Sequence, residues 1–551
     1  MAETTRSEGS RSPFSRRQLL AVTGGAAAAH LAVQLGSATT AAHAEAGAFR
    51  PPAGSWQSSR VHYDEDGHLV YGQDAERNRI PDFSHAGYRN ADHPIPHVPT
   101  VATISPVDGD NTAHLQAAID RVGQRPLNSK GFRGALLLRA GTYPVHGTIR
   151  LNRDGVVLRG VGDDADPASN TVIHAIGDVP HQRDLLVVGG GASTGWSGEI
   201  PGTRTPVTSE FVQVGARSFE IEDASALHKG DDLIVTHPCT EAWLAAVDGG
   251  ATDVDEPWTV GSQPIVYQRR ITAITGNRIM VDVPVFNHLD RTLAESYVYK
   301  WDRAGVIARL GVENLRIDIE FLGDPDVDEN HTWNAIKVRQ AEDVWIRGCT
   351  MLHFAKAAVE TDEVTRATIE NCRALDPVSV VTGGLRYNFN TEKYSQQILF
   401  RNCHATKARH AYVSNGTSSA SGVVFLRCTS EGSLASSEGH RRWSQALLWD
   451  NHREIAPATS ITLGIYNRGS YGTGHGWATA HGVGWNCDVA GKQLIVQKPP
   501  TAQNYAIGCS GVITGDGPFE QPVGYIEGAN TPGLYPASLY EAQRAERRRS
   551  G

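Results

Sequence analysis

One short phrase recurs between Val344 and Cys428: VWIRGC, ATIENC, ILFRNC and VVFLRC, ending at Cys349, Cys372, Cys403 and Cys428 at intervals of 23, 31 and 25 residues. Self-similarity at such a period marks a solenoid, in which each repeat can bury its apolar face only against its neighbours. A helical repeat needs apolar positions three and four apart, whereas these segments alternate or run apolar over five or six residues, as strands do. The phrase therefore predicts an all-β parallel β-helix whose turns stack at about 4.8 Å, with equivalent side chains above one another. Its cysteines would form an internal ladder of small buried thiols, and Cys487 ends a similar segment.

The beginning of the chain reads as an export signal. Ser15-Arg16-Arg17-Gln18-Leu19-Leu20 is a twin-arginine pattern, an Ala/Leu/Val/Gly stretch follows to about Leu35, and Ala42-His43-Ala44 is a small-x-small cleavage site. The expectation is a bacterial protein exported by the Tat route into the extracellular space after cleavage of residues 1–44. No other run reaches the roughly 20 apolar residues of a membrane span, so no membrane partner is expected. A net charge of −9 leaves no basic footprint for nucleic acid. There is no CxxC and no metal-type Cys/His spacing, so no metal ligands are assigned.

Residues 45–100 carry little periodicity and read as an extended arm. Over 101–202 the order is DGDNT, a helix whose apolar face is Leu115, Ala118, Ile119 and Val122, then the strands GALLLRAGTYPV, GTIRL and DGVVLRGVG. Asp110 or Asn111 is the expected N-cap. This order resembles the opening of the pectate-lyase-like superfamily of right-handed parallel β-helices, over roughly Asp108–Gly162 and again from about Gly311. The resemblance implies that the helix caps the open end of the first coil, and it leaves the chemistry open because the scaffold hosts lyases, glycosidases, transferases and phage tailspikes. Residues 203–301 break the rung pattern and read as an inserted β-subdomain of antiparallel hairpins, with turns at Lys229-Gly230 and Gly276-Asn277. Trp243 and Trp258 there are expected in its core rather than on a sugar. The main coils then run over 302–530, and 531–551 is a helical tail that caps or docks on the last coil.

Setting AAVETD, RYNFNT, HAYVSN and ALLWDN side by side as second strands stacks Glu360, Asn390, Ser414 and Asp450, with Thr361, Thr391, Asn415 and Asn451 beside them. Polar stacks of this kind also satisfy backbone groups at bends. Just before these strands come Arg386, then Lys407, Arg409 and His410, then Glu438, His440, Arg442 and Trp443; His475, Trp477 and His481 follow in a glycine-rich loop. Cations gathered on a negatively charged protein suggest a groove for an anionic ligand.

The expected partner is an acidic polysaccharide, acted on by a monomer. A uronate lyase must neutralise a carboxylate and remove the weakly acidic proton alpha to it. Arg386 and Arg442 are candidates for the carboxylate, His410 or His440 for the base, with Lys407 or Arg409 as substitutes. Tyr387 or His475 would protonate the leaving oxygen. Trp443 and Trp477 would stack on sugars, and Asn390, Asn451 and His481 complete the substrate-binding set. A glycoside hydrolase needs two carboxyl groups about 5–5.5 or 6.5–9.5 Å apart. Its candidates are Glu360, Asp362, Glu438 and Asp450, with Glu360 and Asp450 two rungs too far, at about 14 Å. A glycan-binding surface protein would keep the cations and tryptophans and need no base. Calcium is the one cofactor for which ligands are in sight, in the acidic run Asp324–Glu329, which otherwise reads as a solvated loop.

Overall fold

The computed structural model describes residues 50–191, 198–252 and 257–550; the twin-arginine segment lies outside them. From Thr100 to Glu527 the chain winds into a parallel β-helix of three sheets. In the first sheet the repeated phrases pair in register: Ala367 lies opposite Ile398, Phe400 opposite Phe425, and Phe425 opposite Trp449. The second sheet is made of the short strands after each cysteine, such as Thr350–Leu352, Arg373–Leu375 and His404–Thr406. The third contains Asn334–Arg339, Ala357–Asp362, Phe389–Thr391, Tyr412–Ser414 and Ser437–Gly439. Inside the coil, Val359, Phe389, Tyr412, Phe400, Phe425 and Trp449 form one buried core with Cys349, Cys372, Cys403, Cys428, Cys487 and Cys509. All seven cysteines are free thiols.

The residue before each cysteine explains the phrase. Gly348, Asn371, Asn402, Arg427, Asn486 and Gly508 all have φ between 50° and 65°. The chain turns from the first sheet into the second through a left-handed residue, which glycine and asparagine tolerate best. The asparagines also stack, Asn402 donating to Asn371 and Asn486 to Asn451. ALLWDN belongs to this series. Asn451 has φ 56°, His452 takes the cysteine's place, and Leu426 pairs with Asp450 in the first sheet. The expected stack of Asp450 and Asn451 on the second strands is thereby corrected, and so is Ser414, one residue out of register. The true row is Lys337, Glu360, Asn390, Val413, Glu438 and Gly464.

The helix Thr112–Gly123 covers the first coil with Leu115, Ala118, Ile119 and Val122 buried, and Asn111 is its N-cap residue. Between Thr205 and Lys300 the chain leaves the coil and forms a six-stranded antiparallel sheet. Gly276 and Asn277 join two paired strands, whereas Lys229-Gly230 joins Ser218–Glu220 to Asp232–His237, which do not pair; Ser218–Glu220 pairs instead with Arg278–Val281. A second core, outside the first sheet, contains Leu399, Val424, Leu448 and Trp485 of the coil with Trp243, Trp258, Tyr267, Phe286, Phe83 and Tyr540. The insertion, the arm and the C-terminal helix Leu539–Ser550 thus cover the first sheet, while the outer row of the third carries lysine, glutamate and asparagine. The C-terminal helix docks against the side of the coil and the arm, through Tyr540 to Ala86 and Gln543 to Pro81.

Asp450 anchors that helix. Its Oδ2 accepts from Ser538 Oγ at 2.7 Å and from the Tyr540 N–H at 2.8 Å, and burial pushes its pKa up to about 6 despite these bonds. The folded state then holds more protons than the unfolded one between pH 4 and 6, so stability falls as pH rises through that window. Between pH 4 and 7 the stability difference should shift in favour of Asp450→Asn by roughly 3 kcal/mol, read from denaturant midpoints of the two proteins. A difference independent of pH would contradict this assignment.

Candidate functional site

Beside the third sheet, side chains from three successive turns converge, Tyr387 and His410 just before the strands Phe389–Thr391 and Tyr412–Ser414, and His440 just after Ser437–Gly439. Tyr387, His410 and His440 pack edge to face or tilted, with ring centroids 5.0 Å (Tyr387–His410), 4.8 Å (His410–His440) and 5.3 Å (Tyr387–His440) apart. His475, from the loop 468–477, lies with its ring 4.8 Å from His440. Glu438 enters from the outer row of the third sheet, beside Val413.

Hydrogen bonds fix most of the proton positions. His410 Nδ1 lies 2.6 Å from the Ser436 carbonyl oxygen, which can only accept, so Nδ1 carries the proton. Nε2 of His410 is left as a buried lone pair with no partner among the described residues. Tyr387 Oη accepts from Arg409 at 2.7 Å and from the Gly384 N–H at 3.1 Å, and lies 3.1 Å from His440 Nε2. With two donors already on it, the phenol donates to His440 Nε2. His440 Nδ1 lies 2.6 Å from Glu438 Oε1, and Ser436 Oγ donates to Glu438 Oε2 at 2.6 Å. Arg468 is 2.6 Å from the same His440 Nδ1, 3.2 Å from Glu438 Oε1, and donates to the His440 carbonyl at 2.8 Å.

Burial sets the charge state of the histidines, and Arg468 adds to it. Burial drives His410 and His440 well below the usual histidine range; Arg468 and His475 push His440 further, while Glu438 partly opposes the shift at His410. Burial followed by Arg468 takes His475 to about 3. The resting site therefore holds three neutral imidazoles and a protonated tyrosine beside one buried ion pair. His410, Glu438 and His440 could together ligate a metal, their ligand atoms lying within 4.8 Å of one another. The guanidinium of Arg468 already stands against two of the three, which is a poor environment for a second cation.

Of the expected residues, the structure gathers Arg409, His410, Glu438, His440 and His475. Arg386 is buried and pins a neighbouring loop through Ser379 O, Pro325 O and Asp326. Lys407, with its side chain 66% exposed, pairs with Asp376. Arg442 reaches Thr473 in the loop over the site. Trp443 and Trp477 are fully buried and have no face open to a sugar; Trp443 donates to Asn287 and packs on Trp243 and Trp258. His481 lies against His288 beneath the insertion, and Asn451 holds Asp450 and the Ala537 carbonyl. Asn390 bridges Glu360 and Glu392 in an adjoining cavity. In the acidic run, Asp324 and Asp328 accept N–H groups of their own loop, and Asp326 pairs with Arg386.

The residue that sequence spacing misses is Arg468, a lone arginine after the strand Ile461–Ile465 that no repeat marks. A further cavity, about 490 Å³, lies elsewhere, between the insertion and the C-terminal loops; burial takes its lining His237 and His288 to about 4.

No family model and no curated protein matches this chain. Similar solved structures include the tailspike protein gp49 from Pseudomonas phage LKA1, 14% identical with a TM-score of 0.38, covering 73% of this chain and 64% of that one. An alginate lyase from Paenibacillus sp. str. FPU-7 is 9% identical, TM-score 0.38, covering 79% of this chain and 99% of that one. PfbA, a surface adhesin of Streptococcus pneumoniae, is 10% identical, TM-score 0.38, covering 79% and 83%. This chain thus spans less than two thirds of the tailspike. Matches this remote add nothing on chemistry, which rests on the residues themselves.

The charge states above can be read directly. Nitrogen-15 spectra of the imidazoles should show His410 and His475 neutral from pH 8 to pH 5, with His410 as the Nδ1–H tautomer. Titration of either near pH 6.5 would contradict the arrangement.

Proposed function

We propose that the protein is a carbohydrate-active enzyme of the lyase class, cleaving a uronate-containing polysaccharide by β-elimination. The observation that carries this reading is a neutral histidine with an unpartnered ring nitrogen packed against a tyrosine held by both a cation and a histidine–carboxylate pair. His410 Nε2 is the base. It takes the proton alpha to the uronate carboxylate as the bond to the leaving oxygen breaks and the carbon–carbon double bond forms. Tyr387 gives its proton to the leaving oxygen, and Arg409 stabilises the resulting phenolate at 2.7 Å. The proton on His410 then returns to Tyr387, directly or by way of His440, so the site is restored without any other reagent. Glu438 keeps the His440 ring in the orientation that faces Tyr387. Arg409 and Arg441 are the cations nearest the cluster that retain exposure to solvent, and they face the substrate carboxylate.

Burial makes His410 a weak base, and it also keeps the imidazole unprotonated in mild acid. A substrate carboxylate beside it raises its proton affinity when the substrate binds. The loop 468–477 lies over the cluster, and Gly472, at φ 61° and ψ −119°, bends it so that His475 can reach His440. This loop must open to admit a polymer. The hydrolase reading is weaker because Glu438 is paired with Arg468 and Asp450 is sealed under the C-terminal helix.

The test is ultraviolet absorbance of the unsaturated product on a panel of acidic polysaccharides. His410→Ala and Tyr387→Phe should each lower kcat about 10²- to 10⁴-fold with the fold intact by circular dichroism. New reducing ends without the ultraviolet signal would overturn the lyase reading.

A further inference from the structure

We infer that a cavity of about 410 Å³ beside this cluster is a subsite for an anionic group, carboxylate or sulfate, on a sugar next to the reacting one, an inference that rests on the reading above. The cavity is lined by Glu392, Lys393, Asn415, Thr417 and Arg441, which follow third-sheet strands, while Tyr387 and His410 precede such strands and His440 follows one. Tyr387 precedes Asn390 by three residues, about 10 Å of extended chain. Arg441, which lines the cavity, directly follows His440 in sequence, so one wall belongs to both sites.

The lining contains four cations, Lys337, Lys356, Lys393 and Arg441, against three carboxylates. Glu360 is fully buried and held between Lys337 at 2.9 Å and Lys356 at 2.6 Å, so one anion already answers two cations. Glu392 sits 3.5 Å from Lys356 and accepts from Asn390 at 2.9 Å, and burial and the Glu360 charge raise its pKa. Asp362, 3.8 Å from Lys337, is also shifted upward by burial. Lys393 is exposed and has no carboxylate within salt-bridge distance among the described residues. Arg441 is 37% exposed and only 3.7 Å from Glu392, with its Nε on the Asn415 carbonyl. The surplus is positive and faces an open cavity, while Asn415 and Thr417 offer polar groups suited to sugar hydroxyls.

The experiment uses the full chain carrying Tyr387→Phe, in which turnover is slowed about 10²- to 10⁴-fold, and titrates it by calorimetry with a short oligouronate, a sulfated neutral oligosaccharide and an uncharged one. The oligouronate or the sulfated sugar should bind and the uncharged one should not, and whichever anion binds tighter identifies the source. Adding Lys393→Glu, a surface change that breaks no ion pair, should weaken binding about tenfold at low salt and less at high salt. In the otherwise unaltered enzyme, Lys393→Glu should raise KM with kcat nearly unchanged. Equal affinity with and without Lys393→Glu would overturn the subsite even if unsaturated product forms. Charge-dependent binding without any product would leave the subsite standing and overturn the lyase.

Discussion

The parallel hydrogen-bonded ladder governs everything else in this molecule. Because each turn pairs in register with the next, a residue's row is set by its neighbours, and a slip of one residue moves it to the opposite face. That constraint explains how buried cysteines and rings can form continuous columns inside while a charged row runs outside. It also assembles the candidate site. Tyr387, His410 and His440 come from three separate turns yet meet within about 5 Å, because the third-sheet strands next to them are locked together.

The rungs were legible because their corners make a chemical demand. A left-handed residue between the first and second sheets selects glycine or asparagine, and the small thiol after it fits the crowded interior. The same rule identifies ALLWDN as a first-sheet strand, since Asn451 fills the left-handed corner and His452 the thiol position. Reading cysteine as the mark, rather than the asparagine before it, moved Asp450 and Asn451 onto the wrong sheet. The cluster of His410, Glu438, His440 and His475 could be found because histidines and cations gather near successive turns, although His410 precedes its third-sheet strand, Glu438 lies within the next one and His440 follows it. Arg468 could not, since it recurs nowhere and matters only through a contact across the fold. Trp443 and Trp477 show a different limit. Sequence places an aromatic next to a site, but only the insertion packed on the first sheet decides that these rings face inward.

The insertion, arm and C-terminal helix share a physical purpose. A parallel coil with apolar residues on the outside of its first sheet would expose Leu399, Val424, Leu448 and Trp485 to water, and these three segments bury them. The cover is apolar on that side alone. The outer row of the third sheet is polar or glycine apart from Val413, and its carboxylates meet cations rather than an apolar cover, Glu360 between Lys337 and Lys356 and Glu438 beside Arg468.

Within that open face, charge is divided between two depths. Deep in the bends, burial holds the imidazoles uncharged, Arg468 adds to that effect at His440, and Arg468 pairs with Glu438, a state suited to moving a proton rather than attracting an ion. Nearer the surface, Lys393 and Arg441 retain charge that no carboxylate fully answers. An anionic polymer approaching this face would meet the shallow cations first, and its own carboxylate would then supply the negative charge that a buried, weakly basic His410 lacks. On this view the substrate completes the electrostatics of the site, and a neutral polysaccharide would supply neither the charge that the shallow cations attract nor the charge that makes His410 a competent base.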